Sequence, residues 1–427
     1  MALPRMFFGW RVVGAAFTLA MFAWGISFYG PPIYLQVLHT SRGWPVSVVS
    51  GAISAHFLLG AAVVANLAAL HRRFGLVAVT RAGALFTAVG LLGWAFAAAP
   101  WQLYLAAPVS GAGWALTSGA ALNAMVSPWF ARRRPAALGM AFNGASMGGV
   151  IFSPLWVVLI ASLGFHAAAG MVAASVIGVT WVLSRLYLSR TPASMNLLPD
   201  GDLAPQQVGP AEAAPRGTDA AALRNPWRDR RFLTLAAATT FGFVAQVGLV
   251  AHLFSLLVPT LGAGGAGLTM GGVTVCAVGG RSLLGAVMPP GADRRVVTAA
   301  NAGMQAIGSV VLLCAGSSVP LLLFGCALFG LGLGNSTSLP PLIAQAEFRS
   351  ADVARVVGLV TAISQAGYAF APAAFGLLRD LGATGFSINE GILPFAAAAL
   401  VQLASAGALL LRPKSAKTAS HAPQRLC

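Results

Sequence analysis

Apolar residues run through this chain in long blocks separated by short polar breaks. Twelve blocks reach about 20 residues, the length that carries a helix across a bilayer. They cover 11–36, 46–70, 77–98, 101–127, 135–161, 166–188, 231–259, 266–288, 296–315, 318–345, 354–378 and 390–411. The longest polar interruption runs from Leu188 to Arg230 and holds Pro192, Pro199, Pro205, Pro210 and Pro215 with Asp200, Asp202, Glu212 and Asp219. It separates six predicted spans from six. The expected organisation is a six-helix bundle over 1–188, a cytoplasmic linker over 189–230, a second six-helix bundle over 231–411 and a basic cytoplasmic tail over 412–427.

Composition agrees with the pattern. Of 427 residues, 57% are hydrophobic and 8% charged, where soluble domains carry about 25% charged residues. This is the profile of an all-α integral membrane protein. Arg5 and Arg11 flank a first apolar run that is too long for a signal peptide and lacks a small-residue cleavage site, so the first span is expected to be retained. The formal charge of +16 does not call for nucleic acid. With a cytoplasmic N-terminus, all of the 26 Lys and Arg residues except Arg42, Arg379 and Arg281 fall on the inner side, as the positive-inside rule requires. Both termini are then cytoplasmic. Arg132, Arg133 and Arg134 read as a topology anchor at the membrane surface. Cys276, Cys314, Cys326 and Cys427 have neither metal spacing nor a disulfide framework. No nucleotide-binding loop, nucleophile–base pair or metal motif is visible, which argues against a pump driven by ATP and against an enzyme, and no cofactor is expected.

The two halves echo each other. Ser146, Gly149 and Pro154 recur at the same spacing as Ser364, Gly367 and Pro372, and Gly111-x-Gly113 recurs as Gly330-x-Gly332. The expected fold is twelve transmembrane helices in two pseudo-symmetric six-helix bundles, with a midplane site between them.

One residue stands out against this apolar background. Arg281 sits in Gly267–Met288, a run of apolar and small residues. A guanidinium near the bilayer centre costs about 2.5–3.5 kcal/mol by insertion scales and normally has a partner. On the predicted spans every acid falls in a loop or at a helix end, so no carboxylate is available to pair with it. An anionic substrate would fill the gap, and so would a structural clamp of carbonyls and amides. Other polar or aromatic residues fall near mid-span and are candidates to share a binding site: Tyr29, Tyr34, Asn143, Gln246, Asn335, Ser336, Gln365 and Tyr368. Each is also a residue type that hydrogen-bonds helices to one another. Phe28 and Trp114 fit either an apolar pocket or the core. His56, about 15 Å into the second span at 1.5 Å per residue, and His252 in the seventh are the candidates for proton coupling.

Several motifs resemble a known family. Trp129-Phe130-Ala131-Arg132-Arg133-Arg134-Pro135-Ala136-Ala137-Leu138-Gly139, running on to Asn143–Gly149 and Ser153-Pro154, is similar to the start of the fifth helix in monocarboxylate porters and oxalate/formate antiporters of the major facilitator superfamily. Gly25–Gly30 with Pro32 resembles their first helix, and Trp44 with Val48, Ser50 and Ser54 their second. Leu198-Pro199-Asp200-Gly201 resembles their central linker, and Gly280-Arg281 with Gly285 their eighth-helix arginine motif. The resemblance spans the chain and implies a bacterial inner-membrane transporter with Arg281 on the substrate carboxylate.

The departures carry information too. The loop Leu70-His71-Arg72-Arg73-Phe74-Gly75 lacks the superfamily's usual aspartate. Proton-coupled porters carry an aspartate one turn before the arginine, where this chain has Ala277. Oxalate exchangers add a lysine in helix eleven, where this chain offers Gln365 and Tyr368. One fixed charge matches one carboxylate. The expectation is a secondary transporter of a small organic monocarboxylate, working by alternating access with protons or a counter-transported anion. The alternative is an exporter of a drug or hydrophobic metabolite in which Arg281 is structural.

Overall fold

The computed structural model describes residues 7–201, 225–289, 291–385 and 391–411, and the long elements among them are all helices. Arg5, Asp202, Glu212, Asp219, Glu390, most of the linker and the basic tail lie outside the described residues. The helices are α1 (Phe8–Ser27), α2 (Pro31–Arg42), α3 (Val46–Phe74), α4 (Leu76–Phe96), α5 (Pro100–Thr117), α6 (Gly119–Val126), α7 (Arg134–Leu183), α8 (Arg230–Val287), α9 (Arg294–Cys314), α10 (Val319–Leu333), α11 (Leu339–Glu347), α12 (Ser350–Tyr368), α13 (Ala371–Gly385) and α14 (Ile392–Leu410).

Eight stretches are long and apolar enough to cross a membrane as they stand. Two of them count double. With 50 and 58 residues, α7 and α8 would measure about 75 and 87 Å as straight rods, far beyond a hydrocarbon layer of about 30 Å. They turn at Gly164 (φ 76°) and Gly262 (φ 67°), backbone positions that glycine adopts without steric cost. Two further spans are each assembled from a pair of short helices, α5 with α6 and α10 with α11. The architecture is therefore the expected twelve spans. Four of them are broken: α1 stops before Pro31 and Pro32, α5 at the extended Ser118, α10 ahead of Pro340 and α12 ahead of Pro372. Each proline lacks the N–H that an uninterrupted helix would use.

The repeated motifs make matching contacts in the two halves. A Cβ on Gly111 would stand 2.0 Å from the His56 carbonyl oxygen, and one on Gly330 would stand 2.6 Å from that of Val273. Gly113 likewise meets Thr87 of the third span, and Gly332 meets Gln305 of the ninth. Span four thus lies on spans two and three as span ten lies on spans eight and nine. Only glycine permits such backbone approach.

The two halves meet along two equivalent seams. In one, Val150 and Pro154 of α7 pack against Gly271 of α8, and Val157 against Gly267. In the other, the Ser54 hydroxyl of α3 accepts the Ala373 N–H at 3.0 Å, and Asp380 accepts the Ser47 N–H at 3.1 Å. All of these contacts lie in the portions of the spans away from the linker. These contacts join the halves at that end.

Three ionic residues differ from their sequence-based placement. Helix α13 continues past Pro372 to Gly385, so Arg379 and Asp380 lie inside a span rather than in an outer loop. Arg379 is 4% exposed and donates from Nη1 to the Ser255 hydroxyl. Asp380 bridges the halves at the start of α3. Arg295, expected at the inner surface, is buried in a bidentate pair with Glu347 (2.6 and 2.8 Å) and also donates to Thr234 Oγ1 and the Arg231 carbonyl. That cluster ties spans seven, nine and ten together at the linker end.

The first linker residues are equally specific. Asp200 accepts the backbone N–H groups of Ala131, Arg132 and Arg133 at 3.0, 2.8 and 3.2 Å. These amides precede α7, where unpaired donors collect. Burial raises the Asp200 pKa, but the three amides and the Arg132 charge outweigh it and hold the carboxyl below its ordinary value.

Candidate functional site

Arg281 stands on the face of span eight that meets the first half through Thr274. Thr274, Ala277 and Arg281 fall at i, i+3 and i+7 and share one helix face. Arg281 is half-buried, and its Nε donates to the Gly334 carbonyl at 2.8 Å. Gly334 caps the C-terminus of α10, where unpaired carbonyls and the negative end of the helix dipole favour a cation. A guanidinium has five N–H donors. The four on Nη1 and Nη2 make no hydrogen bond, and no carboxylate pairs with them, among the described residues. Close helix packing holds the one bond in place: Cβ atoms on Gly280 and Gly334 would stand 2.0 and 1.9 Å from the carbonyl oxygens of Leu331 and Ala277.

The position refines the midplane expectation. Six residues separate Arg281 from the end of α8 at Val287, a rise of about 9 Å. The arginine therefore occupies the linker-side part of the span. Its side chain leans toward the helix N-terminus, that is, toward Thr274. There Tyr29, 6% exposed, reaches across from span one and lies with Thr274 against Gly149, near enough to the guanidinium to feel its charge.

The other candidates divide. Asn143 is exposed and makes no hydrogen bond among the described residues. It lies one and two heptads from Val150 and Val157, the residues of α7 that meet α8. The contacts Val157–Gly267, Val150–Gly271 and Gly149–Thr274 run antiparallel; counted on by two turns, that register brings Asn143 level with Arg281 along the two helices. Gln365 is half-buried, and its side chain is also without a hydrogen bond among the described residues. Tyr368 meets Phe57 of the other half at 5.7 Å and Phe243 at 5.9 Å.

Gln246, Asn335 and Ser336 join a polar network within the second bundle. Gln246 Nε2 donates to Gln305 Oε1 at 2.8 Å and to the Ser336 hydroxyl. Asn335 Nδ2 donates to Asn301 Oδ1 at 2.9 Å, and Asn301 donates to the Gly332 carbonyl. A void of about 40 Å³ bordered by Phe243, Asn301, Gln305 and Ser336 adjoins the network, with room for water. This network supports the α10–α11 break beside Gly334, and so the carbonyl that receives Arg281.

Tyr34 and the histidines sit elsewhere. Tyr34 donates to the Ile26 carbonyl at 3.1 Å and packs among Trp94, Trp156 and Phe165 inside the first bundle. His56 is 1% exposed, with Nδ1 on the Ser110 hydroxyl at 2.7 Å. His252 is wholly buried, with Nε2 on the Pro372 carbonyl at 2.9 Å. These partners place all three within their own half, away from Arg281. A separate hollow of about 410 Å³ lies at the linker end of the first bundle, lined by Phe74, Arg81, Trp129 and Leu188 among others, and shares none of the candidate residues.

Two bundles of six spans can now be set beside known proteins. The family model of the Major Facilitator Superfamily matches residues 13–372. The chain belongs to this superfamily. It is an integral membrane transport protein, not an enzyme. Among curated superfamily relatives, it is 31% identical over 193 residues to monocarboxylate transporter 13 of Bos taurus, covering 44% of this chain and 41% of that one. It is 27% identical over 386 residues to monocarboxylate transporter 11 of Homo sapiens, covering 87% and 77%. The alignment to the first of these thus spans about two fifths of the relative's length. The fold is similar to the crystal structure of a bacterial homologue of the human lysosomal transporter Spinster in an inward-facing and occupied conformation, with a TM-score of 0.65, 14% identity and coverage of 93% and 94%.

Sequence reasoning missed Thr274, Asn301, Gln305 and the Gly334 carbonyl. A signal for two of them was present. Asn301, Gln305 and Ser309 recur at i, i+4 and i+8 on α9, a polar stripe in an apolar span that marks a buried contact face. Nothing in the sequence marks the carbonyl, because every residue has one.

Proposed function

We propose that this superfamily member carries a small organic monocarboxylate by alternating access and that Arg281 binds the carboxylate. The observation that carries this reading is the state of the guanidinium: Nε is fixed on Gly334, and both terminal nitrogens are unused among the described residues. Two parallel N–H groups match the two oxygens of a carboxylate. Ala277 in place of an acid, and no lysine on α12, leave a single charge for a single carboxylate. Tyr29 and Asn143 flank the anion from the first half, and Gln365 and Tyr368 face it from span eleven.

Binding neutralises the arginine, which lowers the cost of enclosing it when the linker end closes. Rocking of the two bundles then exposes the site on the other side. The basic residues near the linker end support a cytoplasmic side for that end. The names of the curated relatives support the substrate class. The deciding experiment is uptake of a radiolabelled carboxylate panel into proteoliposomes. Saturable uptake of one or more monocarboxylates, absent from empty liposomes and blocked in Arg281→Ala, supports the reading. A protein that is folded but moves none of them overturns it.

A further inference from the structure

We infer that the site selects monocarboxylates with a flat aromatic body, held by a wall of rings that both halves build above Arg281. This inference rests on Arg281 as the carboxylate anchor and adds the part of the substrate that the anchor leaves open.

The rings form one connected series. Phe28 meets Tyr29 edge-on at 5.1 Å, stacks on Trp114 at 6.2 Å and meets Phe57 at 6.1 Å. Phe57 meets Tyr368 across the two halves at 5.7 Å, and Tyr368 meets Phe243 at 5.9 Å. Phe243 borders the same void as Ser336, which bonds Gln246. Tyr29 closes the series on Thr274 and Arg281. Spans one, two, four, seven and eleven thus contribute to one aromatic wall, and the charge lies on span eight beside it.

Three rings of the series are less buried than ordinary core, while Tyr29, Phe57 and Trp114 are 6%, 4% and 8% exposed. The rings that fill the bundles, such as Trp94, Trp156, Phe254 and Phe329, are at most 2% exposed. Phe28, Tyr368 and Phe243 are only half-buried. Tyr368 touches the opposite half, and Phe28 touches Phe57 on the seam, so the series runs along the interface between the halves. Aromatic rings pair best with other aromatic rings in stacked or edge-on geometry, so a ligand ring placed along this interface meets suitable partners.

Reach selects the ligand's length. Thr274, at the level of Tyr29 and the wall, lies two turns from Arg281, a rise of about 10 Å. The arginine side chain leans back along that line and shortens the gap. Acetate on the guanidinium stops short of the rings. A ring joined to the carboxylate by two or three carbons spans both features and loses apolar surface to the wall that a short acid does not have.

The test is a binding panel on the purified full-length protein: 3-phenylpropionate, acetate, pyruvate and the uncharged 3-phenylpropionamide, read by calorimetry. Wild type is expected to bind 3-phenylpropionate at least about tenfold more tightly than acetate or pyruvate, and more tightly than the amide. Phe28→Leu and Tyr368→Leu, tested separately, each lower the phenylpropionate-to-acetate ratio about two- to tenfold, the range of one aromatic contact. If acetate or pyruvate binds as tightly as 3-phenylpropionate in wild type, the aromatic selection is wrong and the carboxylate reading stands. If no carboxylate binds while the amide does, the carboxylate reading itself falls and takes this inference with it. The wild-type panel decides both points whether or not the variants fold.

Discussion

Replacing Gly280 by alanine tests how Arg281 is positioned without touching its charge. The added Cβ would sit 2.0 Å from the Leu331 carbonyl oxygen, where ordinary contact begins at 3.4 Å. That oxygen is backbone, so the two helices must part by about 1.4 Å. The Arg281 Nε–Gly334 bond, now 2.8 Å, would open to about 4.2 Å, beyond hydrogen-bonding range. Overpacking costs about 1–3 kcal/mol of stability. Loss of one charge-assisted bond to a bound carboxylate costs about 1.5–3 kcal/mol more in affinity, or roughly 10- to 150-fold in Kd. Gly279 is the internal control: it is the preceding residue of the same helix, and a Cβ there meets nothing within 4 Å. Carboxylate Kd by calorimetry, with melting temperature in the same detergent, separates the two effects. Gly280→Ala is expected to bind at least about tenfold more weakly and Gly279→Ala like wild type. A folded Gly280→Ala protein that binds carboxylate with wild-type affinity would refute the positioning argument.

Arg281→Lys keeps the charge and loses the fork, so calorimetry should show carboxylate affinity falling by about tenfold or more. Glu347→Ala strips Arg295 of its bidentate partner in the interior and should cost about 3–5 kcal/mol, read as a lower denaturation midpoint. Asp380→Asn weakens the carboxylate's bond to the first turn of α3 by about 1 kcal/mol. It should shift the population toward opening at the end away from the linker, measured by thiol labelling of cysteines introduced there; unchanged labelling would remove Asp380 from the seam. Asp200 has a depressed pKa, so its contribution to linker docking is complete above the ordinary carboxyl value of 3.8 and is lost as pH falls through the lower folded value. Hydrogen exchange at Ala131–Arg133, corrected for intrinsic rate, should be protected at about pH 5 and lose protection in stronger acid.

Much of the architecture was legible because a bilayer makes harsh demands on sequence. Twelve apolar blocks had to be spans, and Gly111-x-Gly113 and Gly330-x-Gly332 marked matching helix contacts. What was not legible depended on where helices stop. Arg379 and Asp380 were placed just past the apolar block 354–378; the helix instead runs on as α13 to Gly385 and includes both. Arg295 looked like one more surface cation until Glu347, 52 residues on, came to meet it. At the site, Arg281 was conspicuous as an isolated charge, but its anchor is a backbone oxygen freed by the end of α10. Tyr34 and Tyr29 are five residues apart and read alike, yet the break at Gly30 sends one into the bundle and the other toward Thr274.

The most direct test of the central claim is carboxylate uptake by Arg281→Ala in proteoliposomes, paired with a melting curve of the same preparation. The structural account gives the guanidinium one backbone bond and assigns the rest of its donors to substrate. It predicts a folded protein with a melting temperature close to wild type and no saturable carboxylate uptake. Uptake that persists in Arg281→Ala with wild-type KM would contradict it and leave Arg281 as a clamp between spans eight and ten.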